Sequence, residues 1–521
     1  MRIEAPVPFA ASKLWALQRA YFETRGIGAW STGDVPHYIV SNPTVAHAFA
    51  DLALGLALDR QRLGGTGQPI PICELGAGSG RFAFHFLTRL AELCARAHLP
   101  LTAFRYILTD MVPENRDFWR AHPKFQPYFD GGVLDTAGFD VMAPGDITLD
   151  GDGAVIGVQS LETPLIIIAN YLFDSVPQDL LLIAEGRGHA CHIALDIDDE
   201  TAAGIDLDDP RDLLAHLQLT YHYAEAEAAY PEPWLQSILD RHTEEIEESH
   251  VLMPSSGLRC LEHLRSFSRQ GMMLLSVDMG QRDAAALEGR DPPQINRHGS
   301  VSMTVNYHAI ALWCENTGGG VLLPSHPHSS IVTACCLALD EPERYRETHA
   351  AFARSVDEVG PDAFFTISRH ARRYIAEMSF DDILAYLRLS HFDAHLFTAW
   401  LPRLNELAPD LDALERAAMI DAILQVWTRY YPIGESPDLA ESMAALLYEL
   451  DAYEPALELF AISAAIYGDH TGKLFNRAAC LAGIGHDAEA LELLDQVLSH
   501  DPANEAAANL RDNLVADATM A

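Results

Sequence analysis

The residue pattern with the clearest chemical meaning is a glycine-rich segment after a short apolar run, Cys73-Glu74-Leu75-Gly76-Ala77-Gly78-Ser79-Gly80-Arg81-Phe82. We expect a strand to enter the glycines and a helix to follow Gly80. Glycines allow the backbone to turn sharply and to approach a ligand closely. The dinucleotide-binding pattern Gly-x-Gly-x-x-Gly is one interpretation, but its third glycine would stand at Arg81. The spacing therefore favours a small-molecule site at a strand-to-helix turn that differs from the standard pyrophosphate site.

An acidic residue stands at the end of the next expected strand. The apolar run Phe104–Thr109 is followed by Asp110, which lies 30 residues after Gly80. A carboxylate at the end of the second strand of a nucleotide-binding sheet can accept hydrogen bonds from both ribose hydroxyls. Asp110 is therefore the candidate ribose ligand, and an exposed turn residue or a helix cap is its ordinary alternative.

The spacing Glu-x-Gly-x-Gly-x-Gly resembles motif I of the class I S-adenosylmethionine (SAM)-dependent methyltransferases. The resemblance implies SAM as the cofactor, with its amino-acid portion against the glycine loop, which we define as residues 76–80. It also implies that Glu74 orders this loop or reaches the SAM amino group. The candidate cofactor-binding residues of this segment are Glu74, Gly76, Ala77, Gly78 and Gly80.

By the same resemblance, the ends of the following two strands hold the nucleoside. Asp110 and its neighbour Met111 are assigned to the ribose side of the cofactor site. Asp135, at the end of the run Gly132-Val133-Leu134-Asp135, is the candidate acceptor for the adenine amino group. Two further acidic residues, Asp130 and Asp140, are neighbouring alternatives for that role.

A narrower resemblance, to the MidA-like methyltransferases, extends over about residues 15–330. Its longest segment is Ile166–Pro177, where the family has Ala-Asn-Glu, two apolar residues, Asp, a small residue, an apolar residue and Pro. Mitochondrial members methylate an arginine on a respiratory complex I subunit, so the resemblance implies a nitrogen acceptor. It also implies that Gly33 and Asp34 belong to the cofactor site. The shorter matching segments are Gly33-Asp34, Asp110–Arg116, Val277–Gly280 and Met303–Tyr307.

This chain departs from the family at Tyr171, where the family has a glutamate. A carboxylate can hold or deprotonate a guanidinium, and tyrosine cannot supply that charge near neutral pH. Arginine methylation is therefore expected only if Asp174 or Asp278 compensates. Asn170, which the resemblance also assigns to the cofactor site, would orient an attacking nitrogen, and Tyr171 would stack on a cation or donate a hydrogen bond. These four are the candidate catalytic residues, with a helix N-cap as an equal alternative for Asp174.

The elements that must position these residues alternate between apolar runs and helical patterns. Buried strands are predicted at Pro71–Leu75, Phe104–Thr109, Leu165–Ala169 and Met272–Val277, and a helix at Gly80–Ala97. We predict an α/β fold: a Rossmann-like class I methyltransferase sheet with a helical cap insertion, followed by an all-α tetratricopeptide-like domain. The expected divisions are 1–70 (N-terminal helical segment, with helices at Ala11–Phe22 and Thr44–Asp59), 71–185 (SAM-binding core), 186–270 (cap, with Leu213–Ser249 helical), 271–338 (end of the catalytic sheet) and 339–521 (helical domain).

An internal repeat marks the C-terminal part of the chain. Residues 447–460 realign with 481–494 after a shift of 34 residues. This period is typical of tetratricopeptide repeats, each of which forms two antiparallel helices. Such repeats usually hold peptides or proteins, so a role in recruiting a protein partner or substrate is expected. Packing on the catalytic domain or a homodimer contact is the equal alternative.

Composition limits the other possibilities. The 35 basic and 74 acidic side chains give a formal charge of -39, which repels the nucleic-acid backbone, so no nucleic-acid partner is expected. The 8 cysteines contain no Cys-x-x-Cys pair, and His326-Pro327-His328 has no third ligand at a suitable spacing, so no metal site is expected. With neither a secretory signal nor an apolar run long enough to span a bilayer, a cytoplasmic protein without a membrane partner is expected.

Three functions therefore compete. The favoured one is methyl transfer from SAM to a nitrogen of a protein side chain or a basic small molecule. A nicotinamide-dependent oxidoreductase is less favoured, because the final glycine of the dinucleotide pattern is missing. A SAM-binding adaptor that no longer reacts is the third, and Tyr171 is its main support.

Overall fold

The computed structural model describes residues 1–35, 38–65, 67–298, 300–327 and 331–520. The chain divides into two compact units, Met1–Ser368 and Arg369–Ala521, which we call the N-terminal and C-terminal units.

The strands and helices of these ranges are numbered in chain order. The strands are β1 (Arg2–Pro8), β2 (Ile70–Glu74), β3 (Phe104–Asp110), β4 (Leu134–Gly138), β5 (Ile147–Thr148), β6 (Val155–Ile156), β7 (Leu165–Asn170), β8 (Asp179–Ala184), β9 (Arg187–Asp196), β10 (Gln218–Glu227), β11 (Glu248–Met253), β12 (Met272–Asp278), β13 (Gly280–Gln281), β14 (Asn296–His298), β15 (Ser300–Ser302), β16 (Val305–Asn306), β17 (Gly320–Leu322) and β18 (Val332–Ala338). The helices are α1 (Lys13–Arg25), α2 (Gly28–Ser31), α3 (Tyr38–Ser41), α4 (Pro43–Arg62), α5 (Arg81–Arg96), α6 (Pro113–Ala121), α7 (Gln126–Asp130), α8 (Asp199–Ala202), α9 (Pro210–His216), α10 (Pro233–Glu245), α11 (Ser255–Arg265), α12 (Ala284–Leu287), α13 (Tyr307–Asn316), α14 (Arg346–Phe352), α15 (Pro361–Ala371), α16 (Phe380–Leu389), α17 (Ala394–Leu407), α18 (Ala413–Arg429), α19 (Leu439–Glu449), α20 (Tyr453–Tyr467), α21 (Thr471–Gly483), α22 (Asp487–His500) and α23 (Glu505–Met520). None of these described helices combines the length and apolar character needed to cross a membrane.

The central sheet has seven strands within the described ranges, in the order β17-β18-β12-β7-β2-β3-β4. Strands β4, β3, β2, β7 and β12 run parallel, whereas β18 is antiparallel to both β12 and β17. β2 and β12 are buried along their whole length, as expected for apolar strands with both faces covered. All four strands predicted for this sheet are confirmed, as is the helix predicted after the glycines, which is α5.

The order of the strands places several polar residues at one edge. From β2 the chain continues to β3 and β4 on one side of the sheet, and the later strands β7 and β12 lie on the other side of β2. Open α/β sheets bind ligands at such a switch point, outside the carboxyl ends of the strands. Glu74, Asp110, Asn170 and Asp278 are the last residues of β2, β3, β7 and β12 respectively, so they meet at this edge.

A second, antiparallel sheet replaces most of the helical cap that the sequence predicts for 186–270. β9 pairs with β1, β8 and β10, and β8 also pairs with β11. The prediction that Leu213–Ser249 is helical is wrong, because β10 lies between α9 and α10. The segment 1–70, which is predicted to be helical, begins with strand β1. In β10, the partly buried Leu219 and Tyr221 alternate with exposed residues. This period of two is a strand pattern, which the helical residues on either side obscure.

The antiparallel sheet supports α1, which confirms the helix predicted near Ala11–Phe22. Leu14, Trp15 and Tyr21 of α1 share a hydrophobic core with Ile193 and Leu195 of β9. The helix predicted at Thr44–Asp59 is also confirmed, as α4. Pairing between strands distant in the sequence thus fixes the position of α1, whose side chains line a cavity at the edge of the central sheet.

Asp59 at the end of α4 holds the start of α14. This fully buried carboxylate accepts hydrogen bonds from the backbone N–H groups of Glu347 (3.1 Å) and Thr348 (2.9 Å) and from the Thr348 hydroxyl (3.0 Å). Because α14 is part of the N-terminal unit, that unit extends past the division expected at residue 338, as far as Ser368.

We expect Asp59→Ala to lower the free energy of unfolding by about 2–4 kcal/mol, because it leaves buried donors at the start of α14 without an acceptor. Urea titration followed by circular dichroism measures this change. The exposed Gln61 on the same helix, changed to alanine, serves as the control and should stay within about 0.5 kcal/mol of the parent. Equal stability of the two variants would contradict the role of Asp59.

Every element after β18 in the described part of the chain is helical, as the sequence predicts. In the C-terminal unit, α20 and α22 are related by the 34-residue shift, since Ala456 corresponds to Ala490 and Phe460 to Leu494. All four of these side chains are fully buried. The repeat seen in the sequence is therefore a repeat of buried contacts between consecutive helices.

Candidate functional site

A cavity of about 390 Å³ lies at the carboxyl edge of the central sheet. This volume is in the range of small-molecule and cofactor sites. Its walls are formed by the glycine loop, the turns that follow β3, β4 and β7, and the N-terminal helices. The residues that line it include Trp15, Gln18, Arg19, Phe22, Trp30, Glu74, Gly76, Ala77, Gly78, Asp110, Met111, Asn115, Phe139, Asp140, Val141, Met142, Asn170, Tyr171, Asp174 and Ser175.

The glycine loop has a backbone conformation that side chains disfavour. Gly78 and Gly80 have φ angles of +55° and +79°. A Cβ atom at Gly78 would lie 2.7 Å from the Trp30 ring, and one at Gly80 would lie 2.9 Å from the Trp119 ring. Both positions therefore need glycine for conformation and for space, and the loop lies directly under an aromatic wall of the cavity.

Asp110 closes the glycine loop from the neighbouring strand. Its Oδ2 accepts hydrogen bonds from the Gly78 N–H (3.1 Å) and the Asn115 side chain (3.1 Å), and its Oδ1 from the Val112 N–H (2.9 Å). Burial raises the pKa of Asp110, and these donors act against the increase. A carboxylate oxygen can accept two hydrogen bonds, so Oδ1 retains capacity for a ligand hydroxyl.

Glu74 is a buried acid that also lines the cavity. The Tyr106 hydroxyl donates to its Oε2 at 2.7 Å. Burial raises the pKa of Glu74 to about 8, although this hydrogen bond partly opposes the increase. Glu74 is therefore largely protonated at neutral pH, and an ammonium group bound beside it would favour its ionised form.

This pKa predicts how Glu74→Gln changes stability with pH. The pKa of Glu74 is higher in the folded protein than its ordinary 4.5, so the parent protein loses stability as pH rises from about 4.5 towards 8. The free energy of unfolding then falls by up to about 1.4 kcal/mol per pH unit. The glutamine variant does not show this fall, because its side chain does not titrate. We expect the variant to become more stable relative to the parent between pH 5 and 8, as measured by urea unfolding. The exposed Glu114→Gln is the control, and a stability difference that does not vary with pH would contradict the prediction.

Asn170 and Tyr171 form the adjoining wall. Within the described residues, neither amide atom of the Asn170 side chain has a hydrogen-bond partner, although both are buried. Leaving a buried polar group unpaired costs about 1–3 kcal/mol, so this amide fits a site that a ligand completes. Tyr171 has a φ of +46°, which is strained for a bulky residue. Burial and two nearby acids raise the pKa of Tyr171 well above its usual range, so its hydroxyl remains a hydrogen-bond donor.

Asp174 and Asp278 form a buried carboxyl pair beside this wall. The Ser175 hydroxyl donates to Asp174 (2.8 Å), and the Met279 N–H donates to Asp278 (2.8 Å). Burial raises the pKa of Asp174 to about 7, whereas burial and the adjacent Asp174 raise the pKa of Asp278 well above its usual range. The pair therefore holds at least one proton at neutral pH, and Asp174 is the member that lines the cavity. The residues directly after Asp174 form a turn and then strand β8, so the helix-cap alternative is wrong.

Asp135 does not belong to the described cavity wall. It is the second residue of β4, not the last, and its carboxylate accepts hydrogen bonds from Arg105 (2.9 Å) and the Gly151 N–H (3.0 Å). The strand continues to Gly138, so the turn after it, which contains Asp140, reaches the cavity instead. The carboxylate of Asp140 is paired with Arg19 across the cavity.

Gly33 and Asp34 also lie outside the described lining, although the cavity includes their neighbours Trp30 and Val35. Asp34 is held by ion pairs with Arg25 (2.7 Å) and Arg211 (3.0 Å). Asp34 therefore anchors the segment between Trp30 and Val35, and its role in binding the cofactor stays a prediction.

Several lining residues have no motif in the sequence. Trp15, Gln18 and Phe22 share one side of α1, and Trp30 lies on α2. The helical spacing of α1 predicts a buried face, but it does not indicate which neighbour that face meets. Only the position of α1 on the antiparallel sheet brings these side chains to the cavity.

The histidines do not form a described metal site. His326 lies 3.6 Å from Asp357, and His328 is outside the described residues. Within the described part of the chain, no group of three His, Cys, Asp or Glu side chains is arranged to hold a metal ion.

Neither protein-family models nor curated sequences give a match to this chain. Among solved structures, it is similar to an uncharacterised protein from Burkholderia thailandensis, with 14% identity over 68% of this chain and 85% of that one and a TM-score of 0.39. A candidate methyltransferase of the same superfamily and organism, bound to S-adenosylhomocysteine (SAH), has 15% identity over 67% and 91% and a TM-score of 0.41. The glycopeptide N-methyltransferase MtfA, complexed with SAH, has 10% identity over 54% and 86% and a TM-score of 0.22.

Proposed function

We propose that this protein is a SAM-dependent methyltransferase that binds SAM and a nitrogen acceptor in the cavity at the edge of the central sheet. One observation carries the proposal. The glycine loop is hydrogen-bonded to Asp110 at the switch point of the sheet. It shares its cavity with the Asn170 amide, which has no partner among the described residues, and with the Asp174 carboxyl group, whose pKa is near 7.

The cavity residues fit SAM. Gly76, Ala77 and Gly78 line the cavity just before the N-terminus of α5, so this loop suits the SAM carboxylate. Glu74 can pair with its ammonium group, and Asp110 can accept from a ribose hydroxyl. The turn Phe139–Met142 provides an apolar wall for the adenine, together with Met111.

The chemistry then needs alignment and the removal of one proton. SAM supplies a methyl group on a sulfonium, so the C–S bond breaks with its electron pair on sulfur as the nitrogen–methyl bond forms. Asn170 orients the attacking nitrogen through its free amide atoms, and Tyr171 donates a hydrogen bond or packs on the acceptor. Alignment of this kind contributes up to roughly 7–11 kcal/mol. Asp174 accepts the proton, because its pKa near 7 lets it act as a base at neutral pH.

The acceptor is a nitrogen of a protein side chain or a basic small molecule. Aromatic rings and acidic groups line the same cavity, a combination that favours a cationic or basic group. The formal charge of -39 favours the approach of such a partner. Asp174 supplies the negative charge that the tyrosine at 171 cannot.

Calorimetry with SAM, SAH and NADH tests this function. We expect one site for SAM and for SAH and no heat with NADH. Binding of NADH alone would support an oxidoreductase. A transfer assay with methyl-labelled SAM and a cell lysate separates an enzyme from an adaptor, because an adaptor binds SAM without labelling a product.

We propose that the C-terminal unit is tetratricopeptide-like and recruits a protein partner or substrate. The 34-residue repeat of buried alanines and large apolar residues supports this role. Comparing lysate labelling by the full chain and by residues 1–368 tests it. Equal labelling by two folded proteins would exclude recruitment by this unit.

A further inference from the structure

Gln18 on α1 is a buried polar residue that the proposed mechanism does not use. It is 1% exposed and lines the cavity. Its Nε2 donates a hydrogen bond to the Ser175 carbonyl oxygen at 3.3 Å. Because a carbonyl oxygen can only accept a hydrogen bond, the Gln18 amide must direct its nitrogen, not its oxygen, towards Ser175. The remaining atom, Oε1, is buried and has no hydrogen-bond partner among the described residues.

The helix around Gln18 is held firmly. The Trp15 indole N–H donates to the Phe9 carbonyl oxygen at 2.9 Å, and Leu14 and Tyr21 are packed in the core of the antiparallel sheet. The side chain therefore cannot turn its oxygen towards solvent without losing the contact with Ser175. A buried acceptor without a donor is unfavourable, and a ligand N–H would remove that cost.

Gln18 is connected to the proposed base, Asp174, through Ser175. Its partner Ser175 follows Asp174 directly, and the Ser175 hydroxyl donates to the Asp174 carboxyl group. The backbone carbonyl of one residue thus positions Gln18, while the side chain of the same residue contacts the base. An acceptor held at Asp174 therefore lies at the turn that Gln18 contacts through Ser175.

We propose that Gln18 determines the acceptor class by accepting a hydrogen bond from an acceptor N–H that is not removed in the reaction. This inference rests on the proposed methyltransferase function. The proton taken by Asp174 cannot also serve Gln18, so the acceptor must carry a second one. Primary amines and amidines meet this requirement, whereas thiols, alcohols and fully substituted amines do not.

Two cationic probes test the role of Gln18, namely benzylamine, which has N–H groups, and benzyltrimethylammonium, which has none. Their binding is measured by calorimetry with and without saturating SAH. We expect the parent protein to bind benzylamine at least 10-fold more tightly than benzyltrimethylammonium. Gln18→Met, which keeps the size of the side chain, should weaken benzylamine about 10-fold and leave benzyltrimethylammonium unchanged.

The exposed Gln61→Met is the matched control and should retain the parent selectivity. An unchanged affinity of Gln18→Met for SAH shows that the variant is folded. If the parent protein does not bind benzylamine, or if Gln18→Met weakens both probes equally, the role of Gln18 is overturned. If the parent protein binds no SAH but still binds benzylamine more tightly than benzyltrimethylammonium, the methyltransferase proposal is overturned. The role of Gln18 in amine binding is then retained.

Discussion

Asp110→Ala is expected to weaken the binding of SAH by about 100-fold. The substitution removes the acceptor of three hydrogen bonds, from Gly78, Val112 and Asn115, and thus releases the glycine loop from β3. Hydrogen bonds to a charged group contribute about 1.5–3 kcal/mol each, and we expect part of this lost energy to appear as weaker binding of SAH. Isothermal calorimetry with SAH measures the change in Kd.

The control for Asp110 is Asp117→Ala on α6. Asp117 is an exposed acid that forms a 3.3 Å ion pair with Arg120. Its replacement by alanine removes the same charge as Asp110→Ala and leaves the described contacts of the glycine loop intact. We expect its Kd for SAH to stay within about 2-fold of the parent, because exposed ion pairs contribute little. If Asp110→Ala also stayed within this range while remaining folded, the cavity would not be the SAM site.

Asp174→Asn is expected to lower the rate of methyl transfer by about 10²–10⁴-fold, the usual effect of removing a general base. The affinity for SAH should change little, because Asp174 is assigned to the acceptor side of the cavity. The parent rate should rise with pH and level off above about 7, where the Asp174 carboxyl group is ionised. Transfer of labelled methyl groups from SAM into a lysate measures the rate across this pH range.

Ser175→Ala provides a graded test of the same group. The Ser175 hydroxyl donates to Asp174 and lowers its pKa against the effect of burial. Removing it should shift the pH profile upwards while the plateau rate is largely kept. A parent-like rate and profile in Asp174→Asn would show that another group, or none, takes the proton.

Local patterns predicted much of the central sheet and part of the site. The strands around Glu74, Asp110 and Asn170 are continuous apolar runs, and such runs form buried strands with little dependence on distant residues. Asp135 lies outside the described cavity lining, and the sequence does not show where a strand stops. β4 continues to Gly138, and three further residues decide which side chain reaches the edge of the sheet.

The antiparallel sheet could not be predicted in the same way. β1 pairs with β9, so Arg2 lies opposite Asp196, and no window of the sequence contains both strands. In β10, the alternation of Leu219 and Tyr221 with exposed residues is short and stands between two helices. Pairing with β9 satisfies the backbone hydrogen bonds of β10, and this contribution outweighs the helical tendency of the residues around it.

The amino-acid sequence by itself determined the strand, the glycine loop and the helix that follows, because these depend on neighbouring residues and on backbone freedom at glycine. It also determined the helical repeat, because equivalent residues recur at a constant interval. Only the tertiary structure decided that α1 brings Gln18 to the cavity and that Asp174 and Asp278 lie together. Those placements follow from strand pairing and from burial of apolar faces between distant segments, and burial is also what raises the pKa of the two acids.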